Sequence, residues 1–282
     1  MLGRVVDPPE TDRQAEAAGD AVTAMVAADL HGHTTNSDGT LTLSTLPDAA
    51  ERAGVETVAI TDHDRMHPEL SEPVTEIDGL EVIHGIELRV APEGERVDLL
   101  GYGVRRTEGL TDLVTGLQEN RIERARKIVS RVEDRLGVDL DVTFEPGVGR
   151  PHIARAIADS DHEYGYGDAF ERLIGDGCPC YVARDIPSFE TGVERLRAAC
   201  DVVGLAHPLR YDDPAAALAL TKQLDAVELH YPYGRPVDTS PVHEATDRHN
   251  LLVTGGTDAH EETVGVEGLD SEAFGAVRAR IG

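Results

Sequence analysis

The chain contains no tryptophan, only three cysteines and three methionines, and aromatic residues make up 4% of it. Its core must therefore pack on Val, Leu, Ile and Ala, and 282 residues suit one large α/β domain carrying an insertion. Three cysteines (Cys178, Cys180 and Cys200) exclude a disulfide framework. Cys178-Pro179-Cys180 has a single intervening residue and no second pair, so structural roles are expected. No apolar run approaches the roughly 18 residues of a membrane span. Residues 1 to about 24 are polar and acidic without the apolar core of a signal peptide, so they are expected to form a partly ordered leader. A cytoplasmic protein with no membrane partner is the expectation. Cations are also scarce: 26 basic residues face 53 acidic ones, for a net charge of −27. Such self-repulsion is screened by concentrated salt, and the composition points to a halophilic protein. The same field opposes binding a polynucleotide by charge alone. No stable nucleic-acid complex is expected, and a small phosphorylated metabolite is the easier partner. Oligomeric state is not legible.

From Met25 onward, short apolar runs alternate with polar clusters. Met25–Leu30, Thr57–Ile60, Leu80–Ile83, Val97–Tyr102, Val202–Ala206, Ala226–Leu229 and Leu251–Thr254 read as strands. Leu46–Ala53 reads as a helix stopped by Gly54. Strands alternating with helices imply a largely parallel sheet. In a β/α barrel the carboxyl ends of such strands converge on one face, where active sites lie. Between about residues 107 and 185 the rhythm changes. Leu110–Leu136 and His152–Ala158 are helical in character, and Arg121, Arg124, Arg126, Lys127 and Arg131 concentrate there. This stretch reads as a helical insertion at one edge of the barrel mouth, within a domain spanning residues 25–282.

The polar clusters carry the chemistry. His31-Gly32-His33 ends the first strand and places two imidazoles on one face. Ser37-Asp38-Gly39 follows in a turn, and Thr61-Asp62-His63-Asp64 ends the next strand. Gly85-Ile86-Glu87, Ala206-His207-Pro208 and Asp258-Ala259-His260 complete the series. One such group is readily a buried structural histidine; a whole series at strand ends points to a shared metal centre. His67, His84, His162, His243 and His249 lack this context and are read as structural or exposed, while His230, at a strand end, is a candidate for lining the pocket.

These ordered motifs resemble those of the PHP (polymerase and histidinol phosphatase) family of metal-dependent phosphoesterases, from about Ala28 to Glu262. The resemblance implies a distorted (β/α)7 barrel, here with the helical insertion, and two or three divalent ions. Mn²⁺ is favoured, with Zn²⁺ or Fe²⁺ as alternatives. It implies that His31, His33, Glu87 and Asp258 hold one ion and that Glu87 bridges to a second on His207. Asp38, His63 and His260 would hold a third, and Asp62 and Asp64 would orient imidazoles. Where a His is expected after the bridging Glu, this sequence has Asp98 in Val97-Asp98-Leu99-Leu100-Gly101-Tyr102. Asp98 is expected to serve as an oxygen ligand, which favours a harder metal. The implied reaction is phosphate-ester hydrolysis by hydroxide generated between cations.

Within the family, Gly149-Arg150-Pro151-His152 and Ala206-His207-Pro208-Leu209-Arg210 resemble the branch of nucleoside 3′,5′-bisphosphate phosphatases and a 5′-to-3′ exoribonuclease. Arg150, His152 and Arg210 become candidates for gripping a second phosphate, since guanidinium binds phosphate bidentately. His152 is also the candidate to protonate the leaving group. The implied substrates are nucleotides or short 5′-phosphorylated oligoribonucleotides. A histidinol-phosphate phosphatase and a non-catalytic metal-binding module are the alternatives.

Overall fold

The structure, a computed structural model, describes residues 25–93 and 95–282; the expected acidic leader lies outside the described residues. Branched apolar runs form β1 (Ala28–Gly32), β2 (Thr57–Ile60), β3 (Val74–Ile77), β4 (Leu80–Val90), β5 (Val97–Tyr102), β6 (Val202–Leu205), β7 (Ala226–His230) and β8 (Leu252–Gly255). Hydrogen-bonded neighbours run β1-β2-β4-β5-β6-β7-β8, a nearly closed, distorted barrel, with β3 paired to β4 as an outlying strand. β1, β2, β5 and β6 are buried at every residue, as strands covered on both faces are.

The sheet is less uniform than the alternation of strands and helices implies. β1-β2, β2-β4, β6-β7 and β7-β8 are parallel, but β5 runs antiparallel to both β4 and β6. This reversal puts the first residues of β5, rather than its last, at the mouth where the other strands end. Asp98 reaches the histidine cluster for that reason. β4 is one strand of 11 residues; its first half pairs with β2 and its second half with β5. Glu87 stands just past the changeover.

The helices are α1 (Leu46–Ala53), α2 (Glu108–Leu136), α3 (Arg150–Ala158), α4 (Tyr166–Ala169), α5 (Phe189–Arg197), α6 (Pro214–Ala219), α7 (Ser240–His249) and α8 (Ser271–Arg278). In α1, Leu46, Ala49 and Ala50 form the buried stripe, and Gly54 ends it in the left-handed conformation at φ 70°. α2 to α4 and the turn after them carry a hydrophobic cluster of their own, built on Ile128, Val132, Ile153, Ile157, Leu173 and Ile174. The expected insertion thus packs on itself as well as against the barrel.

The segment after β8 closes the barrel. His33 N donates to Ala259 O at 2.9 Å, and Ala259 N donates to His31 O at 3.2 Å. Asp29, fully buried, accepts hydrogen bonds from the backbone of His31, Thr257 and Gly265 and from the Thr257 hydroxyl. Those three backbone donors would each cost about 1–3 kcal/mol if left unpaired. Glycine is required at 256, because a Cβ there would meet His31 N at 2.3 Å.

His84 on β4 is buried, and neither ring nitrogen has a hydrogen-bond partner among the described residues. Burial, with Arg106 beside it, pushes its pKa down to about 4. The unfolded chain takes up this proton near the ordinary value of about 6.5 while the folded chain stays neutral to about 4. Stability linked to His84 is therefore complete above pH 6.5 and lost as pH falls toward 4, by up to about 3 kcal/mol. Urea unfolding of His84→Met between pH 4 and 7 should show a shallower loss on acidification than the native chain. Parallel curves would contradict this origin.

Candidate metal centre

Several strand ends, and the middle of β4, deliver ligating side chains to the mouth. His31 is the penultimate residue of β1, with His33 just beyond its end. Past β2 the chain keeps pairing with β4: Glu87 N donates to Asp62 O and Asp64 N donates to Glu87 O, at 3.2 and 2.8 Å. This places His63 directly beside Glu87. The turn Thr34–Gly39 is folded over the Asp62 carboxylate, which accepts from Thr34 N, Thr34 Oγ1, Asn36 Nδ2 and Ser37 Oγ at 2.7–3.0 Å. Gly39 fits because a Cβ there would lie 2.2 Å from His33 O. Asp38 is thereby turned toward His63 and His260. His207 and Asp258 have φ of 29° and 54°, and Asp64 has 52°. Backbone strain of this kind in non-glycine residues persists where the surroundings enforce it.

The result is a tight constellation around Glu87. Its Oε1 lies 3.0 Å from His207 Nε2 and 3.6 Å from His31 Nε2; its Oε2 lies 2.6 Å from His63 Nδ1 and 3.6 Å from His33 Nε2. Asp258 Oδ1 is 3.0 Å from His33 Nε2 and 3.5 Å from His31 Nε2. Asp38 Oδ1 stands 3.5 Å from His260 Nε2 and 3.8 Å from His63 Nε2. Three groups gather ligating atoms closely enough for a shared ion: His33/Asp38/His63/His260, His31/His33/Asp258 and His31/Glu87/His207. The donor atoms fit such ions. Among the atoms that face these groups, His31 Nε2 and Asp38 Oδ1 are buried with no hydrogen-bond partner among the described residues, a state natural proteins seldom leave uncompensated.

Without an ion, protons take the cationic role. Burial raises the Glu87 carboxyl, but His63 and His31 outweigh it and hold the group well below its usual range. Burial opposes a proton on His31, and Glu228, Asp258 and Glu87 overcome it, holding its pKa well above normal. His63 is raised to about 9, burial being outweighed by Glu87 and Asp38.

Eight of the nine expected ligands meet here. Asp98 comes within 3.9 Å of His207 Nε2, but both of its oxygens are taken by Arg89, at 2.7 and 2.6 Å. Asp62 and Asp64 do not orient imidazoles; Asp62 holds the turn, and Asp64 pairs with Arg121 and Arg184. The carboxylate that orients an imidazole is Glu228, 2.9 Å from His31 Nδ1, with its second oxygen on His207 N at 2.7 Å. Its sequence signal was a lone acid inside the apolar strand β7. His230, a candidate for lining the pocket, is exposed.

The phosphate-gripping candidates are not brought to one spot. Arg150 lines a cleft of about 170 Å³ that also touches Asp38 and His63, together with Arg89, Arg96, Arg121, Arg124 and Arg184. Six of the chain's 26 basic residues thus crowd one cleft in an acidic protein. Arg124 is lowered to about 10 by burial and by Arg150 and Arg184. His152 lines a neighbouring cleft with Ser37 and Arg155, its Nδ1 accepting Gly149 N–H at 3.2 Å. Arg210 lies across the mouth, bound to Asp258 Oδ2 and Tyr231 Oη at 3.0 and 2.7 Å. Tyr231, unnoticed in the sequence, donates to Asp258 Oδ2 at 2.8 Å.

The chain is similar to known proteins in sequence and in fold. The profile of the PHP domain matches residues 29–167. The 5′-3′ exoribonuclease of Haemophilus influenzae is 30% identical over 191 residues, 65% of this chain and 69% of that protein. The 3′,5′-nucleoside bisphosphate phosphatase of Chromobacterium violaceum is 26% identical over 258 residues, 84% of this chain and 88% of that protein. A crystal structure of a Bifidobacterium adolescentis protein assigned as a metal-dependent phosphoesterase superposes with a TM-score of 0.72 at 25% identity, covering 90% of this chain and 96% of that one.

Because the pKa of His63 is raised to about 9, its ring carries a proton at pH 8 in the metal-free protein, and binding an ion there must expel it. Calorimetric titration of metal-free protein with Mn²⁺ at pH 8, in buffers of different ionisation enthalpy, should show release of at least one proton per chain. Buffer-independent heats would contradict this electrostatic picture.

Proposed function

The chain belongs to the PHP family of metal-dependent phosphoesterases, and from that premise we propose that it hydrolyses phosphate esters of nucleotides that carry a second phosphate. Nucleoside 3′,5′-bisphosphates and the ends of short 5′-phosphorylated RNAs both meet this description. The observation that carries the proposal is the arginine-lined cleft opening beside His63 and Asp38. A phosphate ester at the histidine cluster leaves a neighbouring phosphate to face guanidinium groups, which match it bidentately.

In this reading His31, His33, Glu87 and Asp258 hold one divalent ion, Asp38, His63 and His260 hold another, and His207 shares Glu87 with a further position. Mn²⁺ suits the mixed nitrogen and oxygen donors, with Zn²⁺ or Fe²⁺ as alternatives. Ions held there would supply Lewis acidity, easing deprotonation of water and countering charge on the phosphoryl oxygens. The chain's own groups do the rest. Arg150 is held by Asp176, whose side chain is 59% exposed, and a surface pair of this kind exchanges readily for a phosphate. Arg210 keeps Nε and NH2 without a partner among the described residues and closes the opposite side of the mouth. Burial lowers the pKa of His152, which favours a neutral ring. With Nδ1 accepting from Gly149, such a ring presents Nε2–H to a phosphate oxygen or to the leaving group. A histidinol phosphate is disfavoured, because its ammonium would face the six arginines of the cleft.

The test is phosphate release with Mn²⁺ at high salt across nucleoside bisphosphates, simple monoesters, short 5′-phosphorylated oligoribonucleotides and histidinol phosphate. Chelation should abolish turnover and Mn²⁺ should restore it. Arg150→Ala should raise KM for a bisphosphate about 10- to 100-fold, the value of a charge-assisted contact of about 1.5–3 kcal/mol, and leave a simple aryl phosphate nearly unchanged. An equal loss on both substrates would sink the second-phosphate reading, and bound metal without turnover of any ester would favour a non-catalytic module.

A further inference from the structure

His31 can give only one nitrogen to an ion, since its Nδ1 is held 2.9 Å from Glu228. Two of the three donor groups, His31/His33/Asp258 and His31/Glu87/His207, nevertheless draw on it. If His31 serves with His33 and Asp258, the His207 position retains only Glu87 and His207. Asp98, 3.9 Å from His207 Nε2, is a donor that could complete it. Arg89 occupies that donor. The two residues stand directly opposite each other in the antiparallel pairing of β4 and β5, and the guanidinium fork holds both carboxylate oxygens at 2.7 and 2.6 Å. Asp98 is further fixed by donation of its backbone N–H to Tyr211 Oη at 2.8 Å, and Arg89 by donation of its own to Asp64 Oδ1 at 3.1 Å. The pair is therefore part of the sheet.

Building on the proposed metal centre, we infer that the Arg89–Asp98 pair withholds a ligand from the His207 position, so that the protein holds two divalent ions tightly and a third only weakly. The guanidinium puts a fixed positive charge beside the third position and also lines the arginine cleft. A dication arriving at His207 must meet that charge and a carboxylate already committed. Arg89 is thus a residue that sets metal stoichiometry, acting through Asp98.

Equilibrium dialysis of the full chain against graded free Mn²⁺, with metal counted by mass spectrometry, tests this without reference to turnover. The native chain should retain two ions at free Mn²⁺ at least tenfold below that needed for a third. Arg89→Gln should tighten the third at least tenfold, and Asp98→Asn should leave the two tight ions in place. The double substitution should lose the gain of Arg89→Gln. Loss of a tight ion in Asp98→Asn, or an Arg89→Gln protein that binds as the native one does, overturns the inference. If Arg89→Gln does not fold, Arg89→Lys, whose ammonium cannot clasp both oxygens, should shift the third ion in the same direction, and His207→Ala should remove only the weak ion. A native chain with three equally tight ions defeats this inference alone, whereas one that binds none defeats the metal centre itself.

Discussion

Glu87 holds a carboxylate inside the protein at 1% exposure. A charge so placed is tolerated only where cations stand around it. Four imidazoles from three different stretches, His31 and His33, His63, and His207, crowd within 3.6 Å of its oxygens. Each of those stretches is then held by a further carboxylate or backbone contact. Glu228 fixes His31 and the His207 backbone, Asp62 folds the turn that presents Asp38, and Asp29 ties β1 to the segment behind Asp258. The acids of the mouth thus divide into those that face the imidazoles and those that hold backbone in place. The second kind is no less buried.

The parts of this arrangement that follow local pattern were legible in the sequence. β2 and α1 fall where the apolar runs and Gly54 put them, and the ligating histidines stand at or just past strand ends because hydrophobic runs stop there, whereas Glu87 lies inside β4, which runs on to Val90. What depended on long-range pairing was not legible. The reversal of β5 leaves no mark in a six-residue buried strand, since buried strands of either direction look alike. Yet that reversal brings Asp98 to the mouth and opposite Arg89. Asp29 and Glu228 could be seen as acids inside apolar strands, but their partners lie 228 and 197 residues away in the chain. Arg89, Arg96 and Arg184 sit in segments without periodicity to single them out, and only the fold shows that they share a cleft with Arg121, Arg124 and Arg150.

Charge is distributed at two scales that oppose each other. The chain as a whole carries −27, which repels polyanions at a distance and is damped by salt. At the mouth, six guanidinium groups line one cleft, a local positive charge that the surrounding acidic chain offsets at longer range. A long nucleic acid must bring many phosphates against the outer surface, while a mononucleotide or a short end brings only the few that the cleft can meet. For the substrates proposed above, the contrast would favour a short molecule over a long one.

Closure of the barrel by the strip around Ala259 has a consequence for how the protein acquires its centre. His33 and Asp258 are 225 residues apart, and the hydrogen bonds that join their segments also complete the barrel. Contacts of such high sequence separation form late, because loop closure must precede them. A chain still leaving the ribosome, or one opened at the seam, therefore presents scattered histidines instead of a pocket. Ions that favour the finished pocket stabilise the closed barrel by mass action and leave partly folded forms behind. Metal uptake would in this way mark completion of the barrel.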